Sequence, residues 1–289
     1  MGKKDNYYEI NKYFNIKNFI YLIILVIFIF YIYISYCNYL YTVNDQDLNK
    51  INKFNYNKNK KTCLLISGQI RDNFEKIFKY QKKFIIDPLN TDIFCVFSDD
   101  ISPQKKKYIE NIIQPKNILW VKNKNTLNLY LLYEKIYLCN NLKINYENKN
   151  HFKYDICIRI RPDLYVKDFI DENLINHIEK NVLYHPKIPF ISTNDQIFIC
   201  DTQTMNKISK FDIIKTNCNI SELYLYKKIL KNKIKIKYLN YISIIDKYMN
   251  KNNNPFNISN FLIFLYLKFI KESYIYNYKM YYMCSNIKI

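Results

Sequence analysis

The feature that most limits how this 289-residue chain can fold is an alternation of short apolar runs with longer amphipathic stretches between residues 62 and 160. Apolar runs typical of strands occupy residues 62–66, 92–97, 117–121 and 154–160, and helical patterns lie between them. This alternation predicts an α/β fold with a mostly parallel, Rossmann-like central sheet and flanking helices, because parallel strands are joined by crossover helices. Ligands of such sheets bind beyond the carboxyl ends of the strands.

The pattern is weaker beyond Pro189. A strand is expected over residues 196–199, a helix from Ser221, and a strand over residues 234–238. The sequence therefore predicts a folded domain over residues 61–250. An Asn-rich hinge and a Tyr-rich apolar tail then form a C-terminal helical extension over residues 251–289.

An uncharged stretch precedes the domain and runs from Asn18 to Asn44. Its length favours one transmembrane helix over residues 18–41, and a buried core helix is the alternative. The lysines that precede it predict a cytoplasmic tail over residues 1–17 and a lumenal or exterior domain, as in a type II membrane protein with an uncleaved signal anchor. Residues 42–60 are polar and without periodicity, which is typical of a short stem.

The net charge of +19 raises the question of nucleic-acid binding. The lysines are scattered, and the sequence contains no zinc-finger, basic-zipper or RNA-binding signature, so no nucleic-acid partner is expected. The eight cysteines are far apart and include no C-x-x-C pair, which argues against a zinc site or a redox motif of that kind. Cys63, Cys157 and Cys200 lie in apolar runs, where buried thiols are expected rather than disulfides.

Arginine is scarce in this lysine-rich chain. Of its 44 basic residues, only Arg71, Arg159 and Arg161 are arginines. A planar, bidentate donor is the one role that lysine cannot fill, and it is used to bind carboxylates and phosphates. The three arginines therefore suggest an anion site, with structural ion pairs as the alternative.

The first candidate motif is a strand-to-helix turn at residues 66–72. Gly68, the only interior glycine, would let backbone N–H groups approach a phosphate beside Ser67, and Arg71 would close over the same anion. An ordinary tight turn also explains the glycine.

The second motif covers residues 154–164. Strand alternation places Ile156, Ile158 and Ile160 on one face, and it places the polar or reactive side chains on the other. Those side chains are Cys157, Arg159, Arg161 and Asp163. Buried arginines require an anionic partner, which is either a ligand or an internal carboxylate such as Asp72, Asp155 or Glu222.

Two further carboxylates are candidate catalytic residues. Asp195 lies in a polar turn before the strand predicted at residues 196–199, and Glu222 lies in the first turn of a predicted helix. Either could position or deprotonate an acceptor hydroxyl group. The alternative roles are turn capping for Asp195 and compensation of the helix dipole for Glu222.

The motifs together resemble glycosyltransferase-like proteins of GT-A type, including the WavE lipopolysaccharide-synthesis proteins. The matching segments are S-G-x-x-R at residues 67–71, D-x-F at 92–94, Y-D-x-x-x-R-x-R-P-D-L at 154–164 and N-D-Q at 194–196. The resemblance covers roughly residues 62–240. It implies a nucleotide-sugar donor over the turn after the first strand, with Asp163 near the donor diphosphate.

The resemblance also bears on metal use. GT-A proteins commonly hold a divalent metal with a D-x-D pair, but here Arg161 stands in the place of the first aspartate. Either Asp163 and the diphosphate hold Mg²⁺ or Mn²⁺ between them, or cationic side chains neutralise the leaving diphosphate without a metal.

The leading hypothesis is a membrane-anchored glycosyltransferase that uses a nucleotide-sugar donor and a glycan or protein acceptor. Its expected donor-binding residues are Ser67, Gly68, Arg71, Arg159 and Arg161, its metal ligand Asp163, and its catalytic residues Asp195 and Glu222. The alternative is a structural or adhesive membrane protein that keeps the fold without catalysis, which the missing first aspartate favours.

Overall fold

The structure is a computed structural model that describes residues 18–32, 45–123, 128–186, 195–210, 221–239 and 243–245. Residues 18–32 form helix α1. Among the described residues, no helix combines the length and the apolar character needed to cross a membrane. Residues 33–41 of the predicted anchor and the predicted C-terminal extension over 251–289 lie outside the described residues.

A seven-stranded sheet forms the centre of the domain, in the order β3-β2-β1-β4-β7-β6-β8, and β5 pairs with β9 in a second, two-stranded sheet. Within the large sheet, β7 runs antiparallel to its neighbours and the other strands share one direction. The strands are β1 (Thr62–Gly68), β2 (Asp92–Ser98), β3 (Asn117–Val121), β4 (Ile156–Ile160), β5 (Leu164–Val166), β6 (Val182–Pro186), β7 (Ile197–Cys200), β8 (Lys235–Leu239) and β9 (Ser243–Ile245).

Helices flank this sheet, so the predicted α/β class with a mostly parallel sheet is confirmed. The first of them, α2, continues through a π-helical turn at Lys82–Ile86 into α3. The helices after α1 are α2 (Phe74–Gln81), α3 (Asp87–Leu89), α4 (Pro103–Ile113), α5 (Asn128–Lys149), α6 (Glu172–Asn176), α7 (Thr202–Ser209) and α8 (Ser221–Lys231).

Local sequence explains where several of these helices begin. Ser102 caps α4 by accepting a hydrogen bond from the Lys105 backbone N–H, and Pro103 occupies the first turn, where its missing N–H has no effect. Asp201 caps α7 in the same way, accepting from the N–H groups of Gln203 and Thr204. Each cap fixes the point at which the chain leaves a strand or a loop.

The core lies on both faces of the sheet, as β4 illustrates. Ile156, Ile158 and Ile160 pack into the cluster that includes α2. Cys157 belongs to the cluster on the opposite face, which includes residues of α5 and α7. The predicted alternation is therefore confirmed within β4, and both faces are covered. Arg161 and Asp163, which were predicted to continue the same face, lie beyond the end of the strand.

The stem prediction needs a correction, because residues 45–60 pack against the domain. Leu48 lies on the hydrophobic core, and the buried Tyr56 donates its hydroxyl to the Ile170 carbonyl at 2.6 Å. Lys60 donates to the carbonyls of Ile175 and Asn176 at 3.2 and 2.7 Å. The polar, Asn-rich composition does not indicate these few anchoring side chains. Because of their contacts, this segment is part of the domain surface and not a spacer.

The strand order creates a switch point between β1 and β4. From β1 the chain moves to β2 and then β3 on one side, whereas β4 pairs with the other side of β1. The connections leave the two strands in opposite directions, and the crevice at their carboxyl ends is where open α/β sheets bind ligands. Because β7 is antiparallel to β4, the residues before β7 reach the same edge.

Candidate anion-binding site

Gly68 ends β1 at this switch point. Its φ of 149° is unusual for a residue with a side chain, and an added Cβ would lie 2.9 Å from Cδ of Pro162, the residue that follows Arg161 after β4. The interior glycine therefore has a packing reason, which is the close approach of the two strand ends. Its role in admitting a phosphate stays a prediction.

Asp163 lies between two of the three arginines. Nε and Nη2 of Arg161 donate to its two carboxylate oxygens at 2.8 and 2.7 Å, which is a bidentate pair. Nε of Arg71 donates to Oδ2 at 2.9 Å. The alternative of an internal ion pair thus applies to Arg71 and Arg161, and Asp163 is their shared partner.

The environment of Asp163 bears on its predicted role as a metal ligand. Burial alone would raise the pKa of this 2 % exposed carboxyl group, but the guanidinium groups of Arg161 and Arg71 outweigh burial and lower it. Both oxygens already accept from cations, and the described residues include no group of three or more His, Cys, Asp or Glu side chains that could hold a metal ion. A role for Asp163 as a ligand of Mg²⁺ or Mn²⁺ stays a prediction.

Arg159 is in a different state from the other two arginines. Its side chain is 0 % exposed, and none of its three nitrogen atoms has a hydrogen-bond partner within the described part of the chain. The guanidinium carbon lies 5.7 Å from the centre of the Phe198 ring. Burial lowers the pKa of Arg159 to about 10, and the Asp195 carboxylate acts in the opposite sense. A buried guanidinium without hydrogen bonds is costly unless an anion meets it.

Ser67 lies on the same face of the sheet as Arg159. Leu65 of β1 is the direct cross-strand partner of Arg159, and Ser67 lies two residues further along, about 7 Å towards the carboxyl edge. Ser67 is also 0 % exposed, and within the described residues its Oγ has no hydrogen-bond partner. Two unsatisfied polar groups therefore lie near each other at the switch point.

Asp195 lies two residues before β7, at the same edge of the sheet. The Arg161 backbone N–H donates to the carbonyl of Gln196 at 3.0 Å, which fixes the start of β7 beside the end of β4. Asp195 is buried, and its charge influences Arg159. The structure thus brings Asp195 together with the three arginines, Ser67, Gly68 and Asp163, whereas Asn194 of the matching motif lies outside the described residues.

Glu222 lies in the first turn of α8, and its side chain is outside the described part of the structure. Tyr224, two residues later, contacts Tyr133 of α5 at 4.2 Å between ring centres. Tyr133 in turn influences the pKa of Arg159. The backbone of this turn therefore lies on the α5 side of the sheet, and a catalytic role for Glu222 stays a prediction.

Sequence reasoning missed a group of polar residues at the same edge. The buried Lys135 donates to Oγ of Ser98, the last residue of β2, at 2.7 Å, and to Oδ1 of Asn123, just after β3, at 2.9 Å. Gln69 donates to Asp100 Oδ2 at 2.7 Å. Lys135 is one of three lysines in α5, and no motif distinguishes it from the others. Asp100 follows a predicted strand and could have been noted.

A scan against protein-family models and a search of curated proteins found no match to this chain. The chemistry of the site is therefore inferred from its side chains. Three guanidinium groups face two carboxylates, Asp163 and Asp195, which leaves an excess of positive charge at the mouth of a mostly parallel sheet. This arrangement is suited to binding a phosphate or carboxylate and to stabilising negative charge that develops on it.

Proposed function

We propose that the chain is a membrane-anchored glycosyltransferase that moves a sugar from a nucleotide-sugar donor to a hydroxyl group of a glycan or protein acceptor. The observation that carries the proposal is Arg159, a fully buried guanidinium group without a hydrogen-bond partner among the described residues, at the switch point of the sheet. Such a group needs an anionic ligand, and a donor diphosphate is one.

In this proposal the arginines stabilise the leaving group. Negative charge grows on the diphosphate as its bond to the sugar breaks, and donors already aimed at that position lower the barrier. Arg159 contacts the diphosphate from its buried side, and Arg71 and Arg161 contact it from the solvent-exposed side. Ser67 contributes its hydroxyl group as a further donor.

A carboxylate is then needed to accept the proton of the acceptor hydroxyl. Asp195 is buried beside the arginines, and Glu222 lies in the nearby first turn of α8. Asp163 has the different role of holding Arg71 and Arg161 in position through three hydrogen bonds. We therefore favour neutralisation of the diphosphate by cationic side chains over a bound Mg²⁺ or Mn²⁺.

The fold and the N-terminal sequence are compatible with this proposal. A mostly parallel sheet with flanking helices is the architecture that the GT-A-type resemblance implies. The proposed anchor over residues 18–41 would place the N-terminus in the cytoplasm and the domain in the lumen or outside. The acceptor is then a glycan or protein on that side of the membrane, and nucleic acid is not a partner.

The test uses the full chain in detergent. Titration calorimetry with UDP, GDP, CDP and CMP measures binding, and release of the nucleotide measures hydrolysis of the corresponding donor sugars. Arg161→Lys keeps the charge but removes the bidentate fork, so binding and hydrolysis should fall roughly tenfold or more. Lys116→Met is a control remote from the site, because Lys116 lies at the opposite end of the sheet, just before β3.

The outcomes separate the proposal from its rivals. Folded protein that binds no nucleotide and hydrolyses no donor would contradict it and would favour the structural or adhesive alternative, for which the paired state of Asp163 is the supporting observation. Binding of DNA or RNA that weakens steeply with salt would favour a nucleic-acid partner instead.

A further inference from the structure

Three cysteines lie side by side on adjacent strands of the central sheet. Cys63 of β1 is the direct cross-strand partner of Cys157 of β4, which is in turn the partner of Cys200 of β7. All three are fully buried, and all are free thiols. The row lies near the amino end of β4, away from the carboxyl edge that carries the proposed donor site.

Cys63 and Cys157 form a close pair within this row. The Cys63 thiol donates to Cys157 Sγ, with the two sulfur atoms 3.4 Å apart. Neighbouring strands are about 4.8 Å apart, and a disulfide accepts Cα separations of about 4.4–6.8 Å. The backbone therefore already stands at a distance that a disulfide can bridge.

A buried lysine makes the two thiols unequal. Nζ of Lys143 from α5 lies 3.8 Å from Cys157 Sγ, and Lys143 is itself fully buried. Burial alone would raise the pKa of the Cys157 thiol, but the Cys63 thiol and the Lys143 ammonium group together lower it. Burial raises the pKa of both Cys63 and Cys200. Cys157 is therefore the thiol that most readily becomes a thiolate, and the thiolate is the nucleophile.

We propose that Cys63 and Cys157 are a dithiol that a peroxide oxidises to a disulfide, with Cys157 as the attacking thiolate and Cys63 as the resolving thiol. The Cys157 thiolate attacks one peroxide oxygen, the O–O bond breaks, and a sulfenic acid and hydroxide form. The Cys63 sulfur then attacks the Cys157 sulfur, the S–O bond breaks, and water leaves. The hydroxide takes up the proton that the Cys157 thiol released. The two thiols therefore lose two hydrogen atoms in total, and the oxidant, hydrogen peroxide, is reduced to two water molecules.

The two cysteines are 94 residues apart in the sequence, so no short motif marks the pair. Only the pairing of β1 with β4 brings them together. Because both thiols are buried on interior strands, a peroxide reaches them only when the structure around them opens locally. Oxidation should therefore be slow compared with that of an exposed thiol.

Trypsin digestion of the full chain tests the pair directly. After peroxide treatment, the protein is denatured in N-ethylmaleimide and digested, which places Cys63 in residues 62–71 and Cys157 in residues 154–159. We expect these two peptides to appear as one cross-linked species, about 2 Da lighter than the sum of the free peptides. This measurement needs no variant. A cross-link of either peptide to the one that contains Cys200, or no cross-link at all, would overturn the proposal.

Variants test the order of the steps. In Cys63→Ala the reaction should stop at the sulfenic acid of Cys157, which dimedone traps, whereas in Cys157→Ala neither product should form. Cys200→Ala is the matched control and should oxidise like the wild type. Dimedone labelling of Cys63 in Cys157→Ala, with folding verified by circular dichroism, would assign the roles the other way and contradict the proposal.

Discussion

Two buried cationic side chains lie on the same face of β4, and they differ in their hydrogen bonding within the described residues. Lys143, beside Cys157, donates to Thr202 Oγ1 and Asn206 Oδ1 and lies 3.8 Å from the Glu147 carboxylate. Arg159, two residues after Cys157, is equally buried, but within the described residues its guanidinium group has no hydrogen-bond partner. One polar group is satisfied by the fold, and the other is not.

The difference separates structural polar groups from functional ones. A buried charge with its full set of partners is compatible with a rigid core, and removing one partner is strongly destabilising. A buried charge without partners is unfavourable for the free protein, so it is expected where a ligand completes its hydrogen bonds. Lys143 is accordingly interpreted as part of the scaffold, and Arg159 as part of the site.

The largest expected effect is on the structural side of this comparison. Lys143→Met should lower the free energy of unfolding by about 3–5 kcal/mol, because it leaves the buried Glu147 carboxylate without its buried cation. Urea denaturation followed by circular dichroism measures the change. Lys153→Met is the control, since Lys153 contacts the same carboxylate at 3.4 Å but is half exposed, and its loss should change stability by under about 1 kcal/mol. Equal effects of the two substitutions would contradict the claim that the buried lysine stabilises the fold more than the half-exposed one.

The second effect concerns binding. Arg159→Met should leave the free energy of unfolding within about 1 kcal/mol of the wild type, because it removes a buried charge that makes no hydrogen bond to any described residue. Binding of the nucleoside diphosphate should weaken by about 2 kcal/mol, or roughly 30-fold in Kd, when measured by calorimetry. Lys116→Met, the same loss of charge at the far end of the sheet, should leave Kd unchanged.

One result for Arg159→Met would contradict the interpretation of Arg159 as a site residue. If the variant unfolds several kcal/mol more easily and binds nucleotide normally, Arg159 belongs to the scaffold as Lys143 does. The proposed function would then lose the observation that carries it.

Much of the fold follows from local sequence. The runs at residues 62–66, 92–97 and 117–121 lie within β1, β2 and β3, and the helix that begins at Ser221 was expected. The reversed direction of β7 was not predicted, because an apolar run has the same appearance in either direction. β6 was not predicted either, although its residues are wholly buried.

The site was predictable in its composition but not in its pairing. Arginine scarcity identified Arg71, Arg159 and Arg161, and strand alternation predicted the buried face for Arg159. The contact between Arg71 and Asp163 joins residues 92 positions apart, so only the pairing of β1 with β4 brings them together. For the same reason, no sequence pattern indicates that Asp163 accepts hydrogen bonds from two arginines. Nor does one indicate that Arg159 makes no hydrogen bond within the described residues.

The third prediction, of intermediate size, concerns the stability of Asp163→Asn and its dependence on pH. Asp163→Asn should lower the free energy of unfolding by about 1–2 kcal/mol at neutral pH, since the arginines that it holds are partly exposed and partly screened. The pKa of Asp163 is lowered in the folded protein, so its stabilising effect is complete above the ordinary value of 3.8 and is lost as the pH falls through the folded value. The variant should therefore lose less stability than the wild type as the pH falls below about 4. Parallel acid-denaturation curves for the two proteins would contradict this assignment.

The smallest effect is expected at Arg71, the most exposed of the three arginines. Its side chain is 39 % exposed and makes one hydrogen bond to Asp163 through Nε, so Arg71→Lys should change the free energy of unfolding by under about 1 kcal/mol. In the proposed function Arg71 meets the diphosphate where water still screens it, and Kd should rise only roughly threefold. Calorimetry on Arg71→Lys and Arg159→Met under the same conditions compares an exposed guanidinium group with a buried one. If Arg71→Lys weakens binding as much as Arg159→Met, the anion is held mainly at the exposed edge, and the unsatisfied state of Arg159 needs another explanation.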